Sequence, residues 1–372
     1  MNEDRASRYQ RLKRRVGLVS LAWSVVLLTG LLATGVSASL RDGAHALATP
    51  LPAGWTAAAT VVFYVAGLTV ITELASLPLA FYGGFVIERR YGLSKEHIRG
   101  WLKDQAKSLA IGLILGAGAA SLVYGFIRLS PGQWWLPAGL MFALVIVGLT
   151  NLAPVVIVPI FYTIKPLGKD TLRARLVALA ERTGARVLGA YEWGLGEKTT
   201  KANAALAGIG STRRILVSDT MLADYSDEEI EVVLAHEIAH HVHGDIWKGI
   251  AFEGALVLAG FYAAGRVLER SVERIGLSGP DDVAGLPLLL LAAGAVAIVM
   301  VPAAHAMSRA YERRADRFAL ELTKNPRAFI SAMRRLGQQN LAEEDPSRLT
   351  QWLFHSHPPI RERIAAAEAF KI

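Results

Sequence analysis

The chain of 372 residues contains no cysteine. Disulfide bonds and thiolate metal ligands are therefore both excluded, and any metal must rest on His, Asp or Glu. Charge is scarce as well: 19% of residues are Asp, Glu, Lys or Arg, against 52% hydrophobic. That balance argues against an ordinary soluble protein and for an integral membrane one. The net charge of +8 is not gathered into one basic, aromatic-laced face, so nucleic acid is not an expected partner. Much of it flanks apolar runs, where it reads as topology information. No internal repeat or low-complexity tract interrupts the chain.

What the chain does have is long apolar stretches. Six of them, at about 16–40, 57–82, 107–128, 134–163, 246–268 and 283–307, can cross roughly 30 Å of hydrocarbon. The first follows MNEDRASRYQRLKRR, with six basic and two acidic residues. Its far end, GVSASL, has the small residues of a signal-peptidase site. Its apolar run exceeds the roughly 7–15 residues of a signal core, so a retained span is expected. The loop from Glu88 to Lys107 has six basic and three acidic residues, whereas only Arg128 charges the segment between spans three and four. This bias puts the N-terminus in the cytoplasm and releases a polar block, about 165–245, on the same side. The last two spans then form a hairpin. Its outer turn, Arg266 to Asp282, is slightly acidic, and Arg309, Arg313, Arg314 and Arg317 mark the return.

The polar block reads as a small α+β unit. DTLRARLVALAERTG has helical spacing of its apolar residues. ARVLGAYEWG and RRILVSD read as strands, with KANAALAGIG as a weaker one between them in the chain. Ser226 and Glu229 form a capping-box pattern that opens the helix SDEEIEVVLAHEIAHHV. Asp227, Glu228, Glu229 and Glu231 crowd its first turns, so this helix starts in water and runs toward the membrane.

Chemistry concentrates in LAHEIAHHVHGD, residues 234–245. His236 and His240 lie one helical turn apart, so both imidazoles can reach one metal. Glu237 sits beside them, placed to act as a general base rather than as a ligand. Zinc lowers the pKa of a bound water to about 7, which makes this arrangement suited to hydrolysis. Catalytic zinc usually takes three protein ligands. One candidate third ligand is Glu312 in MSRAYERRADRFAL, 72 residues after His240 but returned to the same side by the hairpin. Asp316, one turn further, is placed to orient a ligand histidine. Glu312 could instead pair with neighbouring arginines. His243 competes as a ligand but would crowd one helix, and His241 is expected to face solvent. His305, inside span six, is either a functional intramembrane group or a hydrogen-bonded structural one.

These residues, with others, resemble the type I CAAX prenyl endopeptidases, membrane zinc proteases of the gluzincin class. The matches are HEIAH at 236–240, S-R-x-x-E-x-x-A-D from Ser308 to Asp316, and His357-Pro358 with Arg363-Ile364. FVIERRYGLSKE at 85–96 and Asn203-Ala204 upstream of RRILVSDTML add to them. The resemblance runs from the second span onward. It implies that His236, His240 and Glu312 bind one zinc ion and that Glu237 is the base. Asn203 would lie on an edge strand that pairs with extended substrate. His357 would stabilise the oxyanion, and Arg363 would hold substrate backbone. From the residues alone, His357 is a histidine before a proline-started helix and Asn203 a turn residue.

The expected fold is mainly α and integral to the membrane, with about six transmembrane helices and a zincin-like α+β metalloprotease domain at the cytoplasmic face. Residues 1–165 form the N-terminal transmembrane domain of about four spans. Residues 166–372 form the peptidase domain, interrupted by the hairpin at about 246–307. Well-known members of the resembling family have seven spans around a large chamber, and six are counted here. The expected activity is zinc-dependent cleavage of prenylated or membrane-bound peptide or protein substrates, in the inner (plasma) membrane with the site facing the cytoplasm. Degradation of damaged membrane proteins is the alternative. An intramembrane protease of the site-2 type fits less well, because the motif helix begins with four carboxylates. A non-enzymatic zinc-binding membrane protein fits less well too, since structural zinc sites are normally closed by four protein ligands.

Overall fold

A computed structural model describes residues 4–208 and 212–371. The first helix, α1, runs Arg5–Ala33 and breaks at Thr34 and Gly35, the glycine taking φ 74°. The helix α2, Val36–Ala48, follows and packs against α3, Ala53–Phe81. Span one therefore ends at Ala33 rather than near residue 40: GVSASL is a left-handed glycine turn plus the start of a new helix, because glycine reaches positive φ without a Cβ clash. At 13 residues, α2 is about 20 Å long and too short to cross.

A π-helical turn, Tyr82–Val86, carries α3 into α4, Ile87–Arg90. Next come α5, Ile98–Leu129, and α6, Trp135–Leu152, which continues through a π-helical segment, Ala153–Ile157, into α7, Val158–Phe161. Counted as one bent span, this last set makes the sixth membrane-crossing unit beside α1, α3, α5, α11 (Asp245–Ser271) and α12 (Leu286–Thr323). The six spans pack in a closed circuit: α1 on α3, α3 on α5, α5 on α6, α6 on α11, α11 on α12, and α12 back on α1. On the side away from the polar unit, α2 closes over the hairpin turn. There Ser37 Oγ donates to the Ala284 carbonyl at 2.7 Å, and Arg41 pairs with the buried Asp282 at 2.6 Å.

The polar unit holds a four-stranded sheet in the order β1-β2-β4-β3, built from Ile164–Pro166, Ala190–Trp193, Ala204–Ala207 (β3) and Arg214–Ser218 (β4). β2 and β4 are parallel, and the two outer pairings are antiparallel. β1, only three residues long, gives no period-2 signal in the sequence. Residues 209–210, the end of the expected strand KANAALAGIG, lie outside the described residues. α8 (Asp170–Arg182), α9 (Asp219–Asp224), α10 (Asp227–Val242), α13 (Pro326–Gln339), α14 (Arg348–Phe354) and α15 (Ile360–Glu368) complete the unit. Its core gathers Leu172, Leu176, Ile215, Val217, Ile230, Leu234, Ile238, Phe329 and Met333.

Contacts around α4 help join this unit to the membrane part. The loop after α4 lies along the segment before β3: Lys95 N donates to the Lys198 carbonyl at 3.1 Å and Thr200 N to the Leu93 carbonyl at 3.0 Å. Glu88 gathers Tyr9 of α1 at 2.7 Å, Lys13 at 2.9 Å and Lys201 at 2.9 Å. The N-terminal end of α1 is therefore on the same side of the membrane as the polar unit.

At Gly139 of α6 an added Cβ would lie 2.4 Å from Leu258 Cδ2 of α11, whereas at Gly148 of the same helix it would meet nothing within 4 Å. Alanine gains up to about 1 kcal/mol of helix propensity over glycine. Gly148→Ala is therefore expected to hold or raise the melting temperature of the purified protein, and Gly139→Ala to lower it.

Candidate metal centre

The helix α10 is set in place by its start. Ser226 Oγ accepts from Glu229 N at 3.2 Å, and Glu229 Oε2 accepts from Ser226 N at 2.8 Å, completing a reciprocal capping box. Such a cap contributes about 1 kcal/mol. Ile230, Leu234 and Ile238 anchor α10 in the core, while His236, Glu237 and His240 turn toward α12. At the other end, Gly244 takes φ 66°, and the chain passes into α11 at Asp245.

His236, His240 and Glu312 offer ligand atoms that all lie within 4.8 Å of one another. His236 Nε2 is 3.1 Å from Glu312 Oε2, and His240 Nε2 is 3.4 Å from Glu312 Oε1. Glu312 Oε2 is buried and makes no hydrogen bond despite facing that nitrogen. An acceptor turned toward an imidazole without an aligned donor fits a cation held between them. The opposite ring nitrogens are already engaged: His236 Nδ1 lies 2.9 Å from Asp316 Oδ1, and His240 Nδ1 lies 3.1 Å from Asp245 Oδ2. Asp316 and Asp245 are each placed to accept an Nδ1 proton, an arrangement that would leave both Nε2 atoms free toward Glu312. The donor set therefore fits a metal.

Each of the two carboxylates is itself met by an arginine. Arg363 donates to Asp316 through Nε at 2.8 Å and through Nη2 at 2.6 Å, and Arg314 pairs with Asp245 Oδ1. Asp316 and Arg363 are both buried, so removing one partner of that pair would cost about 3–5 kcal/mol, whereas the half-exposed Arg314 makes the Asp245 pair weaker. Asp245 and Arg314 had no sequence signal as site residues. Their contact needs the Gly244 turn and the return of α12, 69 residues along the chain.

The electrostatics divide the carboxylates by task. Burial alone would raise Glu312, but its contacts with His236 and His240 outweigh burial and hold it well below the usual carboxylate range. Burial would likewise lower His236, yet Asp316 and Glu312 push it up to about 9. Glu237 makes no such contact; burial raises it, against the opposing pull of the two histidines. A carboxyl moved toward neutral pH is suited to exchanging protons.

A cleft of about 420 Å³ opens in front of this group, lined among others by Asn203, Ala204, Glu237, His355, His357 and Arg363. Asn203 is exposed and immediately precedes β3, the edge strand. His357 stands at the rim with its side chain 60% exposed, Nε2 being 3.4 Å from Glu312 Oε1. The expectation that His241 faces solvent is not met: its Nε2 donates to the Leu206 carbonyl at 2.9 Å and ties α10 to β3. His243 packs edge-on to Phe318 at 5.5 Å and is outside the ligand group. His305 Nδ1 is buried without a hydrogen bond.

Two family profiles cover nearly the whole chain. One, described as the CAAX prenyl protease N-terminal region with five membrane helices, matches residues 2–163. The other, Peptidase family M48, matches residues 166–371. The chain belongs to peptidase family M48. Within the first match, α1, α3, α5 and the bent α6–α7 unit are long and apolar enough to cross, and α2 is not. Among M48-type relatives, the chain is 31% identical over 367 residues to "Uncharacterized metalloprotease YhfN" of Bacillus subtilis (strain 168), covering 98% of this chain and 84% of that one. It is 27% identical over 311 residues to "CAAX prenyl protease 1 homolog" of Oryza sativa subsp. japonica, covering 82% and 72%. The crystal structure of S. mikatae Ste24p shares the fold, with a TM-score of 0.85 at 22% identity, over 98% of this chain and 88% of that one. This M48 chain is a multi-pass membrane metalloendopeptidase.

The carboxylates behind the histidines generate a prediction. Asp316→Ala and Asp245→Ala should each weaken metal binding about 10–100-fold in competition with a chromophoric chelator. Asp170→Ala, at an exposed position of α8, should leave it unchanged.

Proposed function

We propose that His236, His240 and Glu312 hold one zinc ion and that the enzyme hydrolyses peptide bonds of prenylated or membrane-associated proteins at the cytoplasmic face of the inner membrane. The observation that carries this reading is the convergence of those three side chains beside Glu237, where the catalytic helix meets the first turns of α12 beyond the bilayer. Two imidazoles and one carboxylate make a donor set typical of catalytic zinc. When bound there, zinc supplies Lewis acidity toward the scissile carbonyl and the attacking water.

The chain's own groups do the rest. Substrate lies extended along the outer edge of β3 at its Ala204 end, short of the Leu206 carbonyl that His241 takes, with Asn203 meeting its backbone. Glu237 takes a proton from water as the water oxygen bonds to the carbonyl carbon. It then delivers that proton to the amine nitrogen as the C–N bond breaks. His357, at the rim, donates to the oxyanion. Arg363, with two nitrogens on Asp316, holds His236 through that carboxylate and offers its remaining Nη1 to a substrate carbonyl. Asp316 and Asp245 fix the ring orientations. In domain terms, residues 1–165 present the substrate from the membrane, and residues 166–372 cut it.

Membrane-anchored substrates suit this geometry because the cleft is also lined by Gln10 and Arg14 at the water-side end of the spanning helix α1, and prenylated proteins accord with the names of the CAAX prenyl protease relatives. Glu237→Gln should lower cleavage by about 10²–10⁴-fold with bound zinc unchanged by elemental analysis. Full activity in that variant would refute the assignment. His357→Phe should lower kcat by about 10²–10³-fold with little change in KM. A matched pair of peptides, prenylated and bare, tests the substrate class. Strong preference for the prenylated one supports CAAX-type processing, and equal cutting supports turnover of membrane proteins instead.

A further inference from the structure

The level of the bilayer can be read from two helices. α1 is apolar from Val16, just after Arg14 and Arg15, and the apolar run of α12 ends at Met307, just before Arg309. At 1.5 Å per helical residue, Arg14 and Arg309 are about 3 Å beyond the hydrocarbon. Both reach into one segment of the peptidase unit. Arg14 pairs with Glu343, and Arg309 Nη1 donates to the carbonyls of Gln351 at 3.0 Å and His355 at 2.7 Å. The segment 343–355 is therefore pinned at both ends to charged residues just outside the apolar core. That places it in the headgroup layer, which is roughly 5–7 Å thick on each side.

α14 lies within this segment and turns large apolar side chains outward: Leu349 is 64% exposed, Trp352 50% and Phe354 40%. Leu349 and Trp352, three residues apart, share one face. None of the helix is buried, so its own packing does not explain its composition. Arg309 meets two carbonyls at its C-terminal end, that of Gln351, which also accepts from His355 N at 3.2 Å, and that of His355, and so fastens α14 to the spanning helix α12. Phe354 also lines the catalytic cleft, so one end of α14 touches the cleft while its exposed face is free.

We infer that α14 is an interfacial anchor: Leu349 and Trp352 insert into the headgroup–acyl boundary of the bilayer, and the helix forms the sill between lipid and cleft. The occupant of the exposed face is lipid. Tryptophan and leucine at this level gain from partial burial among acyl chains, and the indole N–H stays within reach of headgroups. No opposing protein surface is needed, because the membrane surface already adjoins Arg14 and Arg309. The sill role rests on the proteolytic reading above; the contact with lipid does not.

The absence of cysteine permits a direct test on the full chain. Leu349→Cys, Trp352→Cys and Glu181→Cys, the last at an exposed position on α8, are each labelled with a nitrobenzoxadiazole dye. Each is reconstituted in phosphatidylcholine vesicles with or without brominated acyl chains. Probes at 349 and 352 should be quenched at least twofold more by brominated lipid than the probe at 181, and less by aqueous iodide. Iodide quenching at both 349 and 352 equal to that at 181, with no effect of bromine, would overturn the inference. For the sill, Trp352→Lys should raise KM several-fold for a lipid-anchored peptide in vesicles and leave kcat/KM for a soluble peptide unchanged. Equal losses on both substrates would refute the sill role. Wild type that cuts neither peptide would count against the proteolytic reading, while the quenching result would still decide the lipid contact.

Discussion

Glu312 and Asp316 reach the catalytic helix because α12 does not stop where the bilayer stops. Its 38 residues extend about 57 Å, nearly twice the hydrocarbon thickness. One rigid element thus crosses the membrane and supplies two carboxylates to a site outside it. α10 approaches from the opposite sense, turns at Gly244 and becomes α11. The hairpin is consequently both membrane anchor and scaffold for the candidate metal group, and its two water-side ends must stay in register for those side-chain atoms to remain within 4.8 Å.

Ionic contacts hold that register. His240, Asp245 and Arg314 link the end of α10, the start of α11 and the continuation of α12. His236, Asp316 and Arg363 link α10, α12 and α15. Both sets have the same logic: an imidazole, a carboxylate that fixes its orientation, and an arginine that offsets the carboxylate's burial. Buried charges are costly unless paired, so each set is sound only when complete. Moving α11 against α12 would break the first set at Asp245, which places the metal centre in mechanical contact with the membrane hairpin.

The same water-side level organises the rest of the peptidase unit. α1 reaches Glu88 and Glu343, the loop after α4 lies beside the segment leading to β3, and His241 ties β3 to α10. Substrate would therefore meet an edge strand held from two sides at the boundary where lipid gives way to water. Metal-dependent hydrolysis requires water, and this boundary supplies it beside the membrane.

Much of this was legible in the sequence. Period and length alone mark six spans, because the hydrocarbon sets a minimum apolar length. The four-residue spacing puts His236 and His240 on one helical face, and the capping box locates the start of α10. Charge bias and the hairpin return bring Glu312 to the side of the histidines. Tertiary structure alone decided the rest. Asp245 meets His240 only through a positive-φ glycine, and Arg314 meets Asp245 only after a 69-residue excursion. Arg363 turned out to be forked onto Asp316, α2 to be too short to cross, and β1 to be a strand only by pairing with β2. Local periodicity and apolar length are written residue by residue along a chain. A buried ion pair across distant elements depends on where those elements finally pack, which no short stretch of sequence contains.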